Sequence, residues 1–292
     1  MKKLIMLALA LSSMTAMAKE PVVLTSIKPI QMIVQELMAD VGEPSVLLSS
    51  NTSPHDYALR PSDVKKVASA DFVIWFGHDL EPFLANVVTK QANVLELSKI
   101  EGLPLREFNG GHADHDGHNH GSHDPHFWLG YAPTLKVAQA ITAELKQLDG
   151  DHAAQYDANY QQFAAQLATQ RDQLTQRLAP VKQVGYFVFH DAYGYFEEDY
   201  GLNQLGHFTV SPERKPGAKT LIHIRKSLAQ KQAKCVFTEP QFTPAVVESV
   251  VRGSQASVGV LDPIGTNIEV KKGSYFTFID QLAGNFATCL AQ

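Results

Sequence analysis

The stretch 151–178, DHAAQYDANYQQFAAQLATQRDQLTQRL, runs for 28 residues without a proline or glycine, and Pro180 closes it. Its larger apolar residues, Tyr156, Tyr160, Phe163, Leu167, Leu174 and Leu178, recur at spacings of three, four or seven. That spacing predicts one helix with a single apolar stripe. At 1.5 Å per residue it spans about 42 Å, long for a helix inside one globular layer, and it is expected to be a rigid strut between two lobes.

Both sides of this stretch alternate short apolar runs with amphipathic ones. Before it, Val22–Ile27, Val46–Leu48, Phe72–Phe76 and Val94–Leu97 read as strands, with helical spacing in Ile30–Met38, Ser62–Ala68 and Thr134–Leu148. After it, Val184–Phe189, Cys235–Thr238 and Val258–Leu261 read as strands, with helices expected in Thr220–Gln232 and Pro244–Gly253. Strands alternating with helices imply βαβ units and a parallel sheet. The expected fold is therefore α/β: a first lobe over 19–150, a linking helix over 151–180 and a second lobe over 181–292, each lobe a small, mainly parallel sheet flanked by helices. Residues 109–124, rich in Gly, Asp, Asn and His, have nothing to bury and are expected to form a loop.

Composition narrows the function. The 292 residues are 45% hydrophobic and 19% charged, ordinary globular values, and 25 basic against 30 acidic side chains leave no basic footprint for a nucleic-acid partner. Lys2 and Lys3, the apolar run Leu4–Leu11 and the small triplet Ala16-Met17-Ala18 have the order of a cleaved secretory signal peptide over 1–18. Beyond it there is no second long apolar run, so the exported protein is not expected to be membrane-embedded. In an oxidising compartment Cys235 and Cys289 are expected to pair. With no CxxC spacing, metal binding by these thiols is the weaker alternative.

The unusual count is twelve histidines, five of them, His112, His115, His118, His120 and His123, packed into the His-rich loop. Elsewhere three strands of the second lobe run into His190, Glu239 and Asp262, and in open α/β sheets the binding crevice lies at the carboxyl ends of the strands. The first lobe offers His55 in SPHDY and His126 in DPHFWL. A cleft between the lobes lined by these groups is the expected metal site, whereas His78, His152 and His223 read as surface residues.

The stretches SPHDYALRPSD at 53–63, HFWL at 126–129, GYFVFHDAYGYF at 185–196, LGHFTV at 205–210, EPQF at 239–242 and LDPIGTN at 261–267 closely resemble the zinc-uptake substrate-binding proteins of bacterial ABC importers, the ZnuA type. The resemblance runs over essentially the whole chain after residue 18. It implies two α/β lobes joined by one long helix, a periplasmic location, and Zn²⁺ carried between the lobes to a membrane permease and its ATPase. It places metal ligands at His55, His126 and His190. Manganese-binding relatives have a carboxylate where His190 stands, and also use the acid matching Asp262. Some zinc members carry an acid just before the first ligand histidine; Pro54 stands there in this chain, leaving water or Asp262 for the fourth position. His207 lies in a family motif but is placed outside the ligand set, and the loop histidines are expected to form a weaker second metal site.

Three imidazoles suit tetrahedral Zn²⁺ with one position open, although copper(II) and nickel(II) also take imidazole, so residue type alone does not decide selectivity. An open zinc position also serves hydrolases, making an exported zinc hydrolase the first rival, but no HExxH occurs. A metal-dependent adhesin of the same fold is the second. No P-loop occurs, so the ATPase is another chain. A monomeric, non-enzymatic carrier is expected.

Overall fold

A computed structural model describes residues 20–49, 52–107, 123–210 and 212–292. The proposed signal peptide and most of the His-rich loop lie outside these residues. Two four-stranded, all-parallel sheets are present among them. The first has the order β2-β1-β3-β4, from Val23–Thr25 (β1), Ser45–Val46 (β2), Phe72–Trp75 (β3) and Val94–Glu96 (β4). The second has the order β6-β5-β7-β8, from Gly185–His190 (β5), Gln204–Thr209 (β6), Ala233–Thr238 (β7) and Ser257–Val260 (β8). The helices are Lys28–Leu37 (α1), Pro61–Ser69 (α2), Ala85–Val88 (α3), Tyr131–Leu148 (α4), Ala153–Leu178 (α5), Gly194–Tyr200 (α6), Ala218–Ala229 (α7), Ala245–Val251 (α8) and Ser274–Leu290 (α9).

The two-residue period of the strands divides the interior. In β3 and just beyond, Phe72, Ile74 and Phe76 enter one core while Val73 and Trp75 enter another with Leu24, Val67 and Leu84. In the second sheet Tyr186, Val188, Cys235 and Phe237 face the first of these cores, and Phe187, Phe189 and Val236 face a third, which Val250 of α8 joins. Both faces of each parallel sheet are thus covered, as continuous apolar runs require. The inner faces of both sheets share one core through α1, α5 and α9. The helix read from 151–178 begins as a 3₁₀ turn, Gly150–His152, and is α-helical over 26 residues. It buries Tyr156, Phe163, Leu167, Leu174 and Leu178 as its stripe predicts.

Polar contacts fix the junction of the lobes. Asn159 of α5 donates its side-chain amide to the carbonyls of Leu37 (2.9 Å) and Ala39 (2.8 Å), which close the end of α1. Glu36 of α1 accepts the Gly273 amide at 2.6 Å, at the start of α9. Burial pushes the Glu36 carboxyl up, partly offset by these amides.

The short helices α3 and α6, the strand β6 and the helix α9 are absent from the sequence reading. The second sheet has a fourth strand, β6, which the pattern QLGHFT does not announce because Gly206 (φ 147°) and His207 break any apolar alternation. Pairing with β5, from Tyr186↔Gln204 to His190↔Thr209, makes it a strand. The C-terminal helix α9 was not anticipated either. It carries Gly284 in its interior and has no side-chain cap of its own, Glu36 supplying the acceptor from the other lobe.

Cys235 on β7 and Cys289 on α9 form a disulfide, as expected. It closes a loop of 54 positions over the inner core. Thiol labelling of the unreduced, denatured protein should therefore find no free cysteine, and the double variant Cys235→Ser/Cys289→Ser should lose about 2–5 kcal/mol of stability in denaturant titrations. Two labelled thiols in the untreated protein would refute the pairing.

Candidate metal centre

Three histidines arrive from three backbone settings. His190 is the last residue of β5, so its side chain stands at the carboxyl edge of the second sheet. His126 precedes a 3₁₀ turn, Phe127–Leu129, anchored by the fully buried Trp128, which donates its indole N–H to the Pro263 carbonyl at 2.7 Å. His55 lies in the segment between β2 and α2, where Asp63 holds the chain by accepting from Tyr57 Oη (2.7 Å) and the Arg60 amide (2.9 Å).

The three rings meet. Centroids are 5.4 Å apart for His55–His126 and for His55–His190, and 4.9 Å for His126–His190. One nitrogen from each lies within 4.8 Å of the other two. Among the described residues this is the one group of metal-ligating side chains so disposed. The cavity they line, with Pro54, Trp128 and Ile264 among its walls, measures about 20 Å³, room for one water-sized body.

Carboxylates settle which nitrogen of the two buried rings faces inward. Asp124 Oδ1 lies 2.7 Å from His126 Nδ1, and also accepts the His126 amide at 3.0 Å. Glu239 lies 3.1 and 3.2 Å from His190 Nδ1 through its two oxygens and accepts from Tyr193 Oη at 2.9 Å. Since an ionised carboxylate only accepts, each Nδ1 carries the proton and each Nε2 presents its lone pair. His190 Nε2 is buried without a hydrogen-bond partner. An orphaned acceptor costs free energy unless something outside the protein satisfies it, and a cation does so.

The electrostatics are asymmetric. Burial, with His190 beside it, holds His126 well below the usual imidazole pKa. His190 is also desolvated, which pulls it down, but the Glu239 carboxylate together with Asp191 and Asp124 outweighs burial and the net shift is upward. Burial pushes Asp124 up to about 6, so it is still ionised at neutral pH.

The remaining sequence candidates lie elsewhere. Asp262 is not in the three-residue group: its Oδ1 accepts from Gln241 Nε2 (2.7 Å) and the Ile264 amide (3.2 Å), and its Oδ2 from the Thr266 amide (2.6 Å). It organises the turn after β8. Glu239, read as a possible ligand, is the exception and lines the cavity, with its oxygens against His190 Nδ1. His207 is half-buried, its Nδ1 3.7 Å from Asp191 Oδ2. His78 and His223 are exposed, and His152 pairs with Asp149 at 2.8 Å. Of the loop histidines, His123 forms an isolated antiparallel bridge with Glu107, while His112, His115, His118 and His120 lie outside the described residues. The orienting role of Asp124 escaped the sequence reading; its signal was an acid two residues before a candidate ligand, in DPH.

Residues 23–289 match the family described as zinc-uptake complex component A, periplasmic, ZnuA. The chain is 42% identical to a high-affinity zinc uptake system protein ZnuA of Yersinia pestis, over 92% of this chain and 91% of the relative. It is 39% identical to the protein of the same name from Haemophilus ducreyi over the full length of both. Among solved structures, a crystal structure of ZnuA superposes with a TM-score of 0.80 at 26% identity, covering 93% of this chain and 100% of the other. The laminin-binding protein Lmb of Streptococcus agalactiae, titled as having adhesin and metal-transporting activity, shares the fold at a TM-score of 0.79 and 23% identity, covering 93% and 100%.

The raised pKa of His190 sets an expectation for pH. A cation binding at Nε2 needs a neutral ring, so it must displace the proton that His190 holds below its raised pKa, whereas His126 is already neutral there. Metal affinity should fall between pH 7 and 5, by about tenfold per unit for each proton displaced. Glu239→Gln, which removes the charge that raises His190, should flatten the curve. Competition titrations against a chromophoric chelator at several pH values measure both; a wild-type affinity constant over that range would contradict the assignment.

Proposed function

Because the chain belongs to the ZnuA family of periplasmic zinc-uptake components, we propose that it captures Zn²⁺ in the periplasm through His55, His126 and His190 and delivers it to the permease and ATPase of an ABC importer. The observation that carries this reading is the convergence of three imidazole nitrogens on one small cavity, with a buried Nε2 that has no partner in the protein. Zinc is the cargo here.

Each structural detail has a part in that task. Nδ1–H bonds to Asp124 and Glu239 fix the tautomers, so no ring must turn over when the ion arrives. The engagement of Asp262 with Gln241, Ile264 and Thr266 supports a fourth position filled by water. A cavity of about 20 Å³ lined by three imidazoles suits a single ion, which supports a carrier. No described helix is long and apolar enough to cross a membrane. We divide the chain functionally into the lobes 19–150 and 181–292 with 151–180 as the link, and take the working unit as a monomer.

His55→Ala, His126→Ala and His190→Ala should each bind zinc at least 100-fold more weakly while keeping a native circular dichroism spectrum, since two imidazoles do not replace three. Unchanged affinity in any one of them removes that residue from the site. His112, His115, His118, His120 and His123 would supply weaker additional binding, because a polar segment must lose conformational entropy to chelate. Deleting residues 111–122 should therefore leave the tight equivalent intact in calorimetry and abolish the weaker ones. Loss of the tight equivalent would mean that this segment supplies ligands to the central site.

A further inference from the structure

We infer that Arg106 is a positioning residue for the zinc site, a cross-lobe strap that sets His126 through Asp124; the inference rests on the reading that His126 is a ligand. Arg106 lies on the first-lobe side of the chain, just before residues 108–122. Its side chain is only 11% exposed, and the guanidinium reaches in two directions. Nη1 donates to Asp124 Oδ2 at 3.3 Å, and Nε donates to Glu198 Oε1 at 2.6 Å, on α6 of the second lobe. Asp124 spends its other oxygen on His126.

The backbone repeats the connection. The Arg106 amide donates to Tyr195 Oη at 2.8 Å, and Tyr195 Oη donates to the Asp124 carbonyl at 2.9 Å. The Asp124 amide in turn donates to the Arg106 carbonyl at 2.7 Å, and Glu107 bridges His123 next to it. Residues on both sides of 108–122 are therefore clamped together on α6. The clamp runs in one chain of contacts from Glu198 through Arg106 and Asp124 to the His126 ring.

Gly194 leaves the space that the guanidinium fills: a Cβ there would overlap Arg106 Cζ and Nη1. The backbone at Gly194 is not in the left-handed region, and the nearest atoms that an alanine there meets are those of the Arg106 guanidinium, which must move. Arg106 is suited to the task because a planar fork donates to two carboxylates in fixed directions, which an ammonium does not.

The test compares Arg106→Met, Arg106→Lys and Gly194→Ala with wild type and with His126→Ala in the full chain. Zinc affinity is read by chelator competition, ligand geometry by the visible absorption of the Co²⁺-loaded protein, and folding by the melting temperature of the metal-free protein. Both Arg106→Met and Gly194→Ala should weaken zinc about tenfold and reshape the Co²⁺ bands, as loss of an orienting partner does. Arg106→Lys should not restore either, and Gly194→Ala should melt within a few degrees of wild type. Wild-type affinity and Co²⁺ bands in Arg106→Met and Gly194→Ala, alongside weakened binding in His126→Ala, would overturn the strap. Unchanged binding in His126→Ala would instead overturn the ligand reading on which it depends.

Discussion

Two buried imidazoles, each with one nitrogen committed to a carboxylate, are the constraint around which this protein is arranged. Burying His126 and His190 beside Asp124 and Glu239 is costly, because desolvating charged and polar groups is repaid only by good geometry and complete hydrogen bonding. The Nδ1 side of each ring meets that condition within the protein. The Nε2 of His190 does not. Stability is thus given up locally for a preformed set of lone pairs, and in the proposed function a cation would be the partner that recovers the loss.

Such a site tolerates little play, and the distribution of packing reflects this. The two sheets turn their inner faces to one core, and α5 runs along it as a continuous rod. Asn159 closes the end of α1, and Glu36 of α1 closes the start of α9, so α1 and α9 each borrow a terminal hydrogen bond from another helix. The ring nitrogens that converge on the cavity come from both lobes, and their spacing is set by this shared junction. The disulfide from β7 to α9 adds a covalent tie on the same core.

Polar groups at the cleft divide into those that face the cavity and those that hold the frame. Asp262 serves the frame: three donors engage its carboxylate, and the turn it organises offers the Pro263 carbonyl to Trp128, which precedes α4 and follows His126 by two residues. Glu239 and Asp124 sit between the two classes, each against a buried imidazole, and Glu239 also lines the cavity. The oxygens of an acid at a strand end serve the donors nearest to it, which for Asp262 are Gln241 and the backbone amides of a tight turn.

The sequence by itself determined the class of fold, because hydrophobic periods of two and 3.6 reflect local geometry: the apolar runs of β1, β3, β5 and β7 and the stripe of α5 need no knowledge of their neighbours. It also marked His55, His126 and His190, whose residue type and placement after strands and in distinctive short motifs are visible in one dimension. Elements that depend on a distant partner were decided by the tertiary structure alone. β6 is a strand because β5 pairs with it despite Gly206 and His207, and α9 starts where Glu36 meets its first amides. The same holds for tautomers and orienting contacts. Asp124 lies two residues from His126, but Glu239 is 49 positions from His190 and Glu198 is 92 from Arg106, and hydrogen-bond direction across such separations has no one-dimensional signature.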